Sequence, residues 1–153
     1  MLVLVAGLVL FIGIHSLRLI PGARDGLQAK LGEMPYKLVY TAISLTGFAL
    51  IIYGKIIAHP SVPVWQPPEW SRPLAFPLVP LAIILIVSAY APGHLRRWVR
   101  HPMLAGTMLW SFAHLMANGE LSAVLLFGGF FLWSTVTFIS SWFRETPPPV
   151  VKG

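Results

Sequence analysis

Apolar side chains dominate five stretches of the chain, and each stretch is close to the length of a membrane-crossing helix. About 20 apolar residues cross a hydrocarbon core of roughly 30 Å, since a helix rises by about 1.5 Å per residue. The stretches run Leu2 to Ile20, Leu38 to Ala58, Leu74 to Ala91, Pro102 to Ala117 and Leu121 to Phe143. The pattern predicts one all-α domain over residues 1–153, a polytopic transmembrane helix bundle of about five spans.

The polar segments between these stretches predict little regular structure. The first, "RLIPGARDGLQAKLGEMPYK", has turn residues at Pro21-Gly22 and at Gly32, with room for a short interfacial helix around Leu27 to Leu31. The second, "HPSVPVWQPPEWSRP", holds five prolines, which disfavour a regular helix, and two tryptophans, which suit the headgroup layer. We expect this second loop to lie along the membrane face.

The composition also indicates a membrane protein. The 153 residues are 56% hydrophobic and only 10% charged, with a mean hydropathy of +0.75, whereas soluble domains carry roughly 25% charged residues. The formal charge is +6, but no polar stretch is long enough to fold into a module that reads nucleic acid. Membrane lipids with anionic headgroups are therefore the expected partner, and nucleic acid is not.

Cysteine is absent from the chain. Disulfides, thiolate-held zinc or iron–sulfur clusters and covalently attached haem are therefore excluded. Any bound metal would be held by nitrogen or oxygen atoms.

Lysines and arginines gather in alternate loops, which predicts the orientation of the spans. Nine fall on one side, and Arg72 and Lys55 fall on the other. The nine are Arg18, Arg24, Lys30, Lys37, Arg96, Arg97, Arg100, Arg144 and Lys152. That side should be cytoplasmic, which places the N-terminus and the turn at residues 118–120 outside and the C-terminus in the cytoplasm. We expect the first stretch to be a retained helix and not a signal peptide, because no Lys or Arg precedes it and no small-residue cleavage site follows it.

The fourth stretch carries a line of polar side chains. Thr107, Ser111, His114 and Asn118 follow one another at steps of 4, 3 and 4 residues, which is the spacing of one helix face. An unmatched polar group in hydrocarbon costs several kcal/mol. We therefore expect this face to meet protein or a cofactor, and not lipid.

Two histidines lie within predicted spans. By the helical rise, His114 is about 18 Å and His15 about 8 Å from the cytoplasmic edge. An ionisable residue inside a span is a functional candidate, and neutral imidazole is the commonest side-chain metal ligand. From the residues alone, each imidazole is either a metal ligand or a hydrogen-bonding group of a helix contact.

His101 and Arg100 lie at the start of the fourth stretch. His101 does not share a face with His114, because thirteen residues correspond to a rotation of about 220°. Arg100 and His101 would meet lipid phosphates or an anionic group of a cofactor at the water boundary. His59 and His94 lie in predicted loops, where solvated positions account for them.

Several reaction classes lack their residues in this chain. All five acidic residues lie outside the predicted spans, so the buried carboxylate relay of a proton-coupled transporter is missing. The dense HxxxH and HxxHH boxes of membrane di-iron desaturases are absent. No GxSxG, P-loop or dinucleotide fingerprint occurs either.

Five blocks together resemble one family of small bacterial inner-membrane proteins. They are "GIHS", "LGEMPYKLVYTAISLTGFALIIYG", "WQPPEW", "RHPMLAGTMLWSFAHLMANGE" and "LLFGGFFLW", and they are similar to the NnrU family over essentially the whole chain. That family is associated with nitrite and nitric oxide metabolism in denitrifying bacteria. It is related to 15-cis-zeta-carotene isomerase, a membrane enzyme that holds haem b through histidines.

The resemblance implies haem b as the cofactor, with His15 (in GxHS) and His114 (in AHLxANG) as the iron ligands that converge on one porphyrin. The other candidate cofactor-binding residues lie in or next to the fourth stretch and would neighbour the cofactor without ligating it: Arg100, His101, Thr107, Ser111 and Asn118. Haem held by imidazole without covalent links fits a chain that lacks cysteine. The implied activity is redox chemistry with nitric oxide, or cis–trans isomerisation of an apolar polyene, and whether the chain is itself an enzyme stays open.

Two other functions fit parts of the sequence. "RHPMLAG" also resembles the start of the cofactor site in isoprenylcysteine and phospholipid methyltransferases, but "RETPPPVVKG" lacks the acidic and aromatic C-terminal block of those enzymes. A non-catalytic membrane partner that assembles or regulates a redox complex would account for the small size and the basic loops.

Overall fold

The structure, a computed structural model, describes residues 1–144 and is all-α over that range. Its helices are α1 (Leu2–His15), α2 (Ala23–Leu31), α3 (Glu33–Ile57), α4 (Ser71–Ser88), α5 (His94–Val99), α6 (Pro102–Ala117) and α7 (Leu121–Arg144). A 3-10 turn, Ser16–Leu19, continues α1. Within residues 1–144 the extended backbone pairing amounts to an isolated bridge between Pro63 and Glu120.

The five predicted stretches all form helices, with shifts at some ends. α6 has the predicted bounds, and α7 ends at Arg144 instead of Phe143. α3 begins at Glu33 instead of Leu38. It includes Pro35 in its first turn, where a proline costs no helical hydrogen bond because the first N–H groups have no partner within the helix.

The connecting segments agree with the prediction in two places and differ in one. α2 contains the short helix predicted around residues 27–31, and the proline-rich residues 59–70 form no helix. α5 is a helix where the sequence analysis placed only a loop, so the prediction of a loop position for His94 was wrong. Six residues are too few for a helical period to be recognised in the sequence.

Among residues 1–144, four helical segments are long and apolar enough to cross a membrane: residues 2–19, 33–57, 71–88 and 121–144. α6 has 16 residues, or about 24 Å of helix, which is shorter than a hydrocarbon core of roughly 30 Å. Large apolar side chains on the long helices face outward, as Leu2 (86% exposed) and Phe76 (83% exposed) do. This distribution is that of helices whose surroundings are lipid.

The helices form two compact units. In the first, residues 1–65 with 119–129, α1 packs antiparallel against α3 at glycines. A Cβ atom on Gly7 would lie 2.6 Å from the backbone nitrogen of Ile51, and one on Gly47 would lie 2.8 Å from that of Phe11. Only glycine allows the two backbones to approach this closely, so these contacts set the register of α1 on α3.

The first unit also includes the beginning of α7, which is linked to the proline-rich loop by backbone hydrogen bonds. The N–H of Val64 donates to the carbonyl of Gly119 at 2.7 Å, and the N–H of Leu121 donates to the carbonyl of Val62 at 2.8 Å. Residues 62–64 and 119–121 thus form an extended pair, which we call the loop pairing.

In the second unit, residues 66–118 with the described part of 130–153, α4 packs against α6. A Cβ atom on Gly106 would lie 2.7 Å from the carbonyl oxygen of Ala82. The later part of α7 lies beside α6, since the rings of Phe112 and Phe131 are 6.0 Å apart. α1, which carries His15, and α6, which carries His114, are thus each docked on a neighbouring helix through glycine.

Candidate functional site

His15 is the last residue of α1, and its ring is fixed by its own helix. Nδ1 lies 2.6 Å from the carbonyl oxygen of Phe11, one helical turn earlier. The rings of Phe11 and His15 have centroids 4.2 Å apart. The residue is half-buried.

Aromatic residues of α3 complete the surroundings of His15 within the first unit. The Tyr40 ring meets the imidazole edge-on at 5.5 Å, and Tyr36 lies 6.0 Å beyond Tyr40. Phe48 approaches Phe11 at 6.1 Å. The antiparallel packing of α1 on α3 is what brings these tyrosines to the end of α1, and sequence spacing alone does not show it.

His114 has the same local arrangement in the second unit. Its Nδ1 lies 2.9 Å from the carbonyl oxygen of Trp110, and the two rings have centroids 5.1 Å apart. The Phe130 ring of α7 meets Trp110 edge-on at 5.8 Å. His114 is half-buried as well.

These hydrogen bonds decide which nitrogen of each imidazole can ligate a metal. A carbonyl oxygen only accepts, so Nδ1 of His15 and of His114 carries the hydrogen. In the neutral ring the lone pair is then on Nε2. Metal-ligating histidines characteristically donate the hydrogen of the other ring nitrogen to a carbonyl or carboxylate, which fixes the tautomer and the ring orientation.

The polar line on α6 does not need partners outside the helix. Thr107 Oγ1 donates to the carbonyl of Met103 at 2.9 Å, and Ser111 Oγ donates to the carbonyl of Thr107 at 2.7 Å. Asn118 Nδ2 donates to the carbonyl of His114 at 2.8 Å. Hydroxyl and amide groups that bond back to their own helix are satisfied locally, so their polarity does not by itself identify a site.

Arg100 and His101 lie beside the end of α7 in the second unit. The Arg100 guanidinium stands 4.3 Å from the centroid of the Trp142 ring. The His101 ring meets Phe138 edge-on at 6.1 Å, and Phe138 stacks on Trp142 at 5.8 Å. His101 is therefore held in an aromatic contact that the sequence did not indicate.

A second polar cluster, not predicted from the sequence, lies next to the loop pairing. Lys55 Nζ donates to Ser122 Oγ at 2.8 Å and lies 3.6 Å from Glu120 Oε2. His59 Nδ1 donates to the same carboxylate oxygen at 3.1 Å, and Ser61 Oγ donates to Ser122 Oγ at 3.0 Å. His59 is in a loop as expected, but it is a partner of Glu120.

The charge of Glu120 responds to this cluster. The hydrogen bond from His59 lowers the pKa of Glu120 below its ordinary value of 4.5. Burial acts in the opposite direction, and the positive charges of His59 and Lys55 lower the pKa further. The carboxylate is thus stabilised in its ionised form.

No group of three or more His, Asp or Glu side chains arranged to hold a metal ion occurs among residues 1–144. His15 and His114 each have their own aromatic neighbours. The neighbours that sequence reasoning missed are Phe11 and Tyr40 around His15, and Trp110 around His114. A signal was present for two of them, because Phe11 and Trp110 each precede a histidine by four residues.

Comparison with known proteins gives a family and no closer relative. No curated protein and no solved structure matches the chain. The sequence profile of a family described as NnrU protein matches residues 3–152. That match covers nearly the whole sequence, including His15, His114 and the block from residue 100 to 120. The chain therefore belongs to the NnrU family.

Proposed function

We propose that this protein is a haem b protein of the bacterial inner membrane, with the Nε2 atoms of His15 and His114 as iron ligands. One observation carries the proposal. Both imidazoles donate from Nδ1 to the carbonyl of the aromatic residue one turn earlier, so both are held in the tautomer that ligates through Nε2. Family membership and the apolar helices are consistent with this role.

The surrounding residues fit a flat apolar group. Phe11 and Tyr40 beside His15, and Trp110 beside His114, present ring faces and edges at 4.2, 5.5 and 5.1 Å from the imidazoles. Aromatic side chains contribute large apolar contact areas to ligand sites. In this proposal the histidines bind the iron, and the aromatic rings orient the imidazoles and exclude water.

Bound haem supplies a redox-active iron, which suits chemistry with nitric oxide or the cis–trans isomerisation of an apolar polyene. The protein would set the properties of that iron through its histidine ligands, their hydrogen bonds and the polarity around them. The Nδ1 bonds to main-chain carbonyls are such a control, because they make each imidazole a better electron donor. In this proposal the carbonyl groups of Phe11 and Trp110 would exert this control.

The proposed topology has five spans and places the N-terminus outside. The short helix α6 is the fourth span along the chain and adds to the four longer ones. The basic residues support it in each unit separately. In the first, Arg18, Arg24, Lys30 and Lys37 lie at one end of the α1–α3 pair, and Lys55 lies near the other. In the second, Arg96, Arg97 and Arg100 connect α4 to α6, and Arg72 lies at the start of α4. Lys152 lies outside the described residues.

Absorbance spectroscopy tests the proposal. The full-length protein, purified in detergent from haem-replete cells, should show a Soret band. His15→Ala and His114→Ala should each remove the band or shift it to that of a haem with one protein ligand. His94→Ala, which changes an exposed histidine of α5, is the matched control and should leave the spectrum unchanged.

Two results would count against haem ligation by these residues. A colourless wild-type preparation from haem-replete cells would overturn haem binding altogether. A Soret band that survives the double variant His15→Ala, His114→Ala would move the ligands elsewhere. Turnover assays of the coloured protein then separate the two activities, since a nitrogen-oxide enzyme should consume nitric oxide and a polyene isomerase should convert a cis polyene to the trans form.

A further inference from the structure

The backbone at Arg100 is held in an unusual conformation. Arg100 has φ 60° and ψ −52°, and the N–H of His101 donates to the carbonyl of Val99 at 2.7 Å. A hydrogen bond across a single central residue with these angles is a γ-turn of the rare, strained kind. Residues other than glycine adopt a positive φ only where their surroundings impose it, and such residues cluster at binding sites.

The side chain of Arg100 is held as firmly as its backbone. Its guanidinium lies 4.3 Å from the centroid of Trp142, and Trp142 is stacked on Phe138. A planar guanidinium on a ring face keeps its N–H groups directed along the plane, where they can donate two parallel hydrogen bonds to a phosphate. This geometry suits directed hydrogen bonds from the Arg100 guanidinium to a bound anion, and not merely a long-range attraction between charges.

The segment in front of Arg100 adds positive charge and an exposed ring. Arg96 and Arg97 are exposed, and the Trp98 side chain between them and the γ-turn is 79% exposed. No Asp or Glu occurs in residues 89–101 or 138–144. The nearest acidic residue in the sequence, Glu145, lies outside the described residues.

The other basic connection of the chain differs in this respect. In residues 18–37, Asp25 is adjacent to Arg24, and Lys37 forms an ion pair with Glu33 at 2.6 Å. Positive charge is therefore partly neutralised within that segment. By contrast, the segment of residues 89–101 contains no acidic residue that could neutralise its three arginines.

We propose that Arg96, Arg97 and Arg100, with Trp98 and Trp142, form a binding site for the phosphate group of an anionic phospholipid. Charge complementarity identifies the occupant, and the exposed Trp98 ring suits the headgroup layer of a bilayer that α4 and α7 are long and apolar enough to cross. Arg100 gives the site its geometry, and Arg96 and Arg97 give it most of its attraction. The site goes beyond the proposed haem function and does not depend on it.

Native mass spectrometry of the full-length protein in detergent tests this site, with phosphatidylglycerol as the anionic probe and phosphatidylcholine as the neutral one. The wild type should retain phosphatidylglycerol in preference to phosphatidylcholine. Each basic residue near a lipid surface contributes about fivefold in affinity, so R96Q/R97Q should weaken phosphatidylglycerol binding by about 25-fold. Both side chains are exposed, so this variant should unfold at the wild-type temperature.

Two further variants separate geometry from charge. R100K keeps the charge but loses the planar stack, and W142L removes the ring beneath the guanidinium, so each should weaken phosphatidylglycerol binding by about threefold. R24Q removes one exposed basic residue of the first unit and is the matched control, with binding within about twofold of wild type.

The proposal is overturned by any of four results. These are equal retention of the two lipids by the wild type, equal losses in R24Q and R96Q/R97Q, full binding by R100K together with W142L, and displacement of the lipid by a short RNA duplex that the same variants fail to bind. A fifth result would also overturn the site: a loss of the Soret band in R100K with unchanged lipid retention would assign Arg100 to the cofactor. Because lipid retention is measured by mass, its outcome is independent of whether haem is bound.

Discussion

The surroundings of His15 and of His114 share one hydrogen-bond motif, but the elements that supply their neighbouring residues differ. In both, Nδ1 is bonded to the carbonyl of an aromatic residue one turn earlier. Around His15, further rings come from the neighbouring helix α3, with Tyr40 in direct contact. Around His114, the ring of Trp110 from the same helix is in contact, and the polar groups of Ser111 and Asn118 bond to carbonyls of that helix.

The comparison of the two histidines shows that a line of polar residues on one helix face does not by itself identify a site. The polar line on α6 looked like a site from its spacing, but its hydroxyl and amide groups are satisfied by carbonyls of α6. α1 has no comparable polar line, yet His15 has the same tautomer and lies beside the Phe11 and Tyr40 rings. The feature that the two environments share is therefore the carbonyl-bound imidazole beside a ring.

The largest expected effect concerns the glycines that dock the two histidine helices. Gly54→Ala would place a methyl group against the backbone of Leu4, and Gly106→Ala would place one against the Ala82 carbonyl. Overpacking of this kind lowers the free energy of unfolding by about 1–3 kcal/mol or more, which thermal unfolding in detergent measures. If haem is bound as proposed, each variant should also lower haem occupancy, because each displaces a helix that carries one ligand.

The control for both is Gly13→Ala. No atom lies within 4 Å of a Cβ at Gly13, so the alanine should be neutral or should raise stability by up to about 1 kcal/mol through its helix propensity. The close approach of α1 to α3 occurs at Gly7, Gly47 and Gly54, and not at Gly13. A Gly13→Ala variant as unstable as Gly54→Ala would contradict this docking of α1.

A smaller effect separates polar groups that link distant segments from those that bond to their own helix. Ser122→Ala removes a buried acceptor of hydrogen bonds from Lys55 and Ser61 and should cost about 1–3 kcal/mol of unfolding free energy. Ser111→Ala, at an equally buried serine, should change it by less than about 0.5 kcal/mol, since the α6 carbonyls keep their backbone partners. Equal losses would show that Ser111 has a partner role beyond α6 and would revive the polar line as a site.

The smallest effect is a dependence on pH that belongs to the first unit. The pKa of Glu120 is lowered in the folded protein, first by the hydrogen bond from His59. Its contribution to stability is therefore fully present above pH 4.5, its ordinary value, and is lost as the pH falls below that value toward the folded pKa. Glu120→Gln should flatten the acid side of the profile of unfolding temperature against pH, and Glu69→Gln is the control that should not. An unchanged profile in Glu120→Gln would remove the carboxylate from this role.

Sequence reasoning succeeded where one physical constraint dominates. Helix positions followed from apolar stretches of membrane length, whereas the functional role of His15 and His114 stays a prediction. It failed where a feature depends on which helices pack together. Tyr40 reaches His15 only because glycines fix α1 on α3, and Lys55 reaches Glu120 only because the loop pairing joins segments far apart in the chain. α5 escaped prediction because six residues show no period.

The loop pairing has a consequence for how the protein is made. Residues 62–64 leave the ribosome well before residues 119–121, with which they form hydrogen bonds. The first unit therefore stays incomplete during insertion, with the hydroxyl of Ser61 and the ammonium of Lys55 waiting for Ser122, until translation has passed α6. A chain arrested before residue 119 should remain open to quality-control proteases at that loop, however stably its first helices are already inserted.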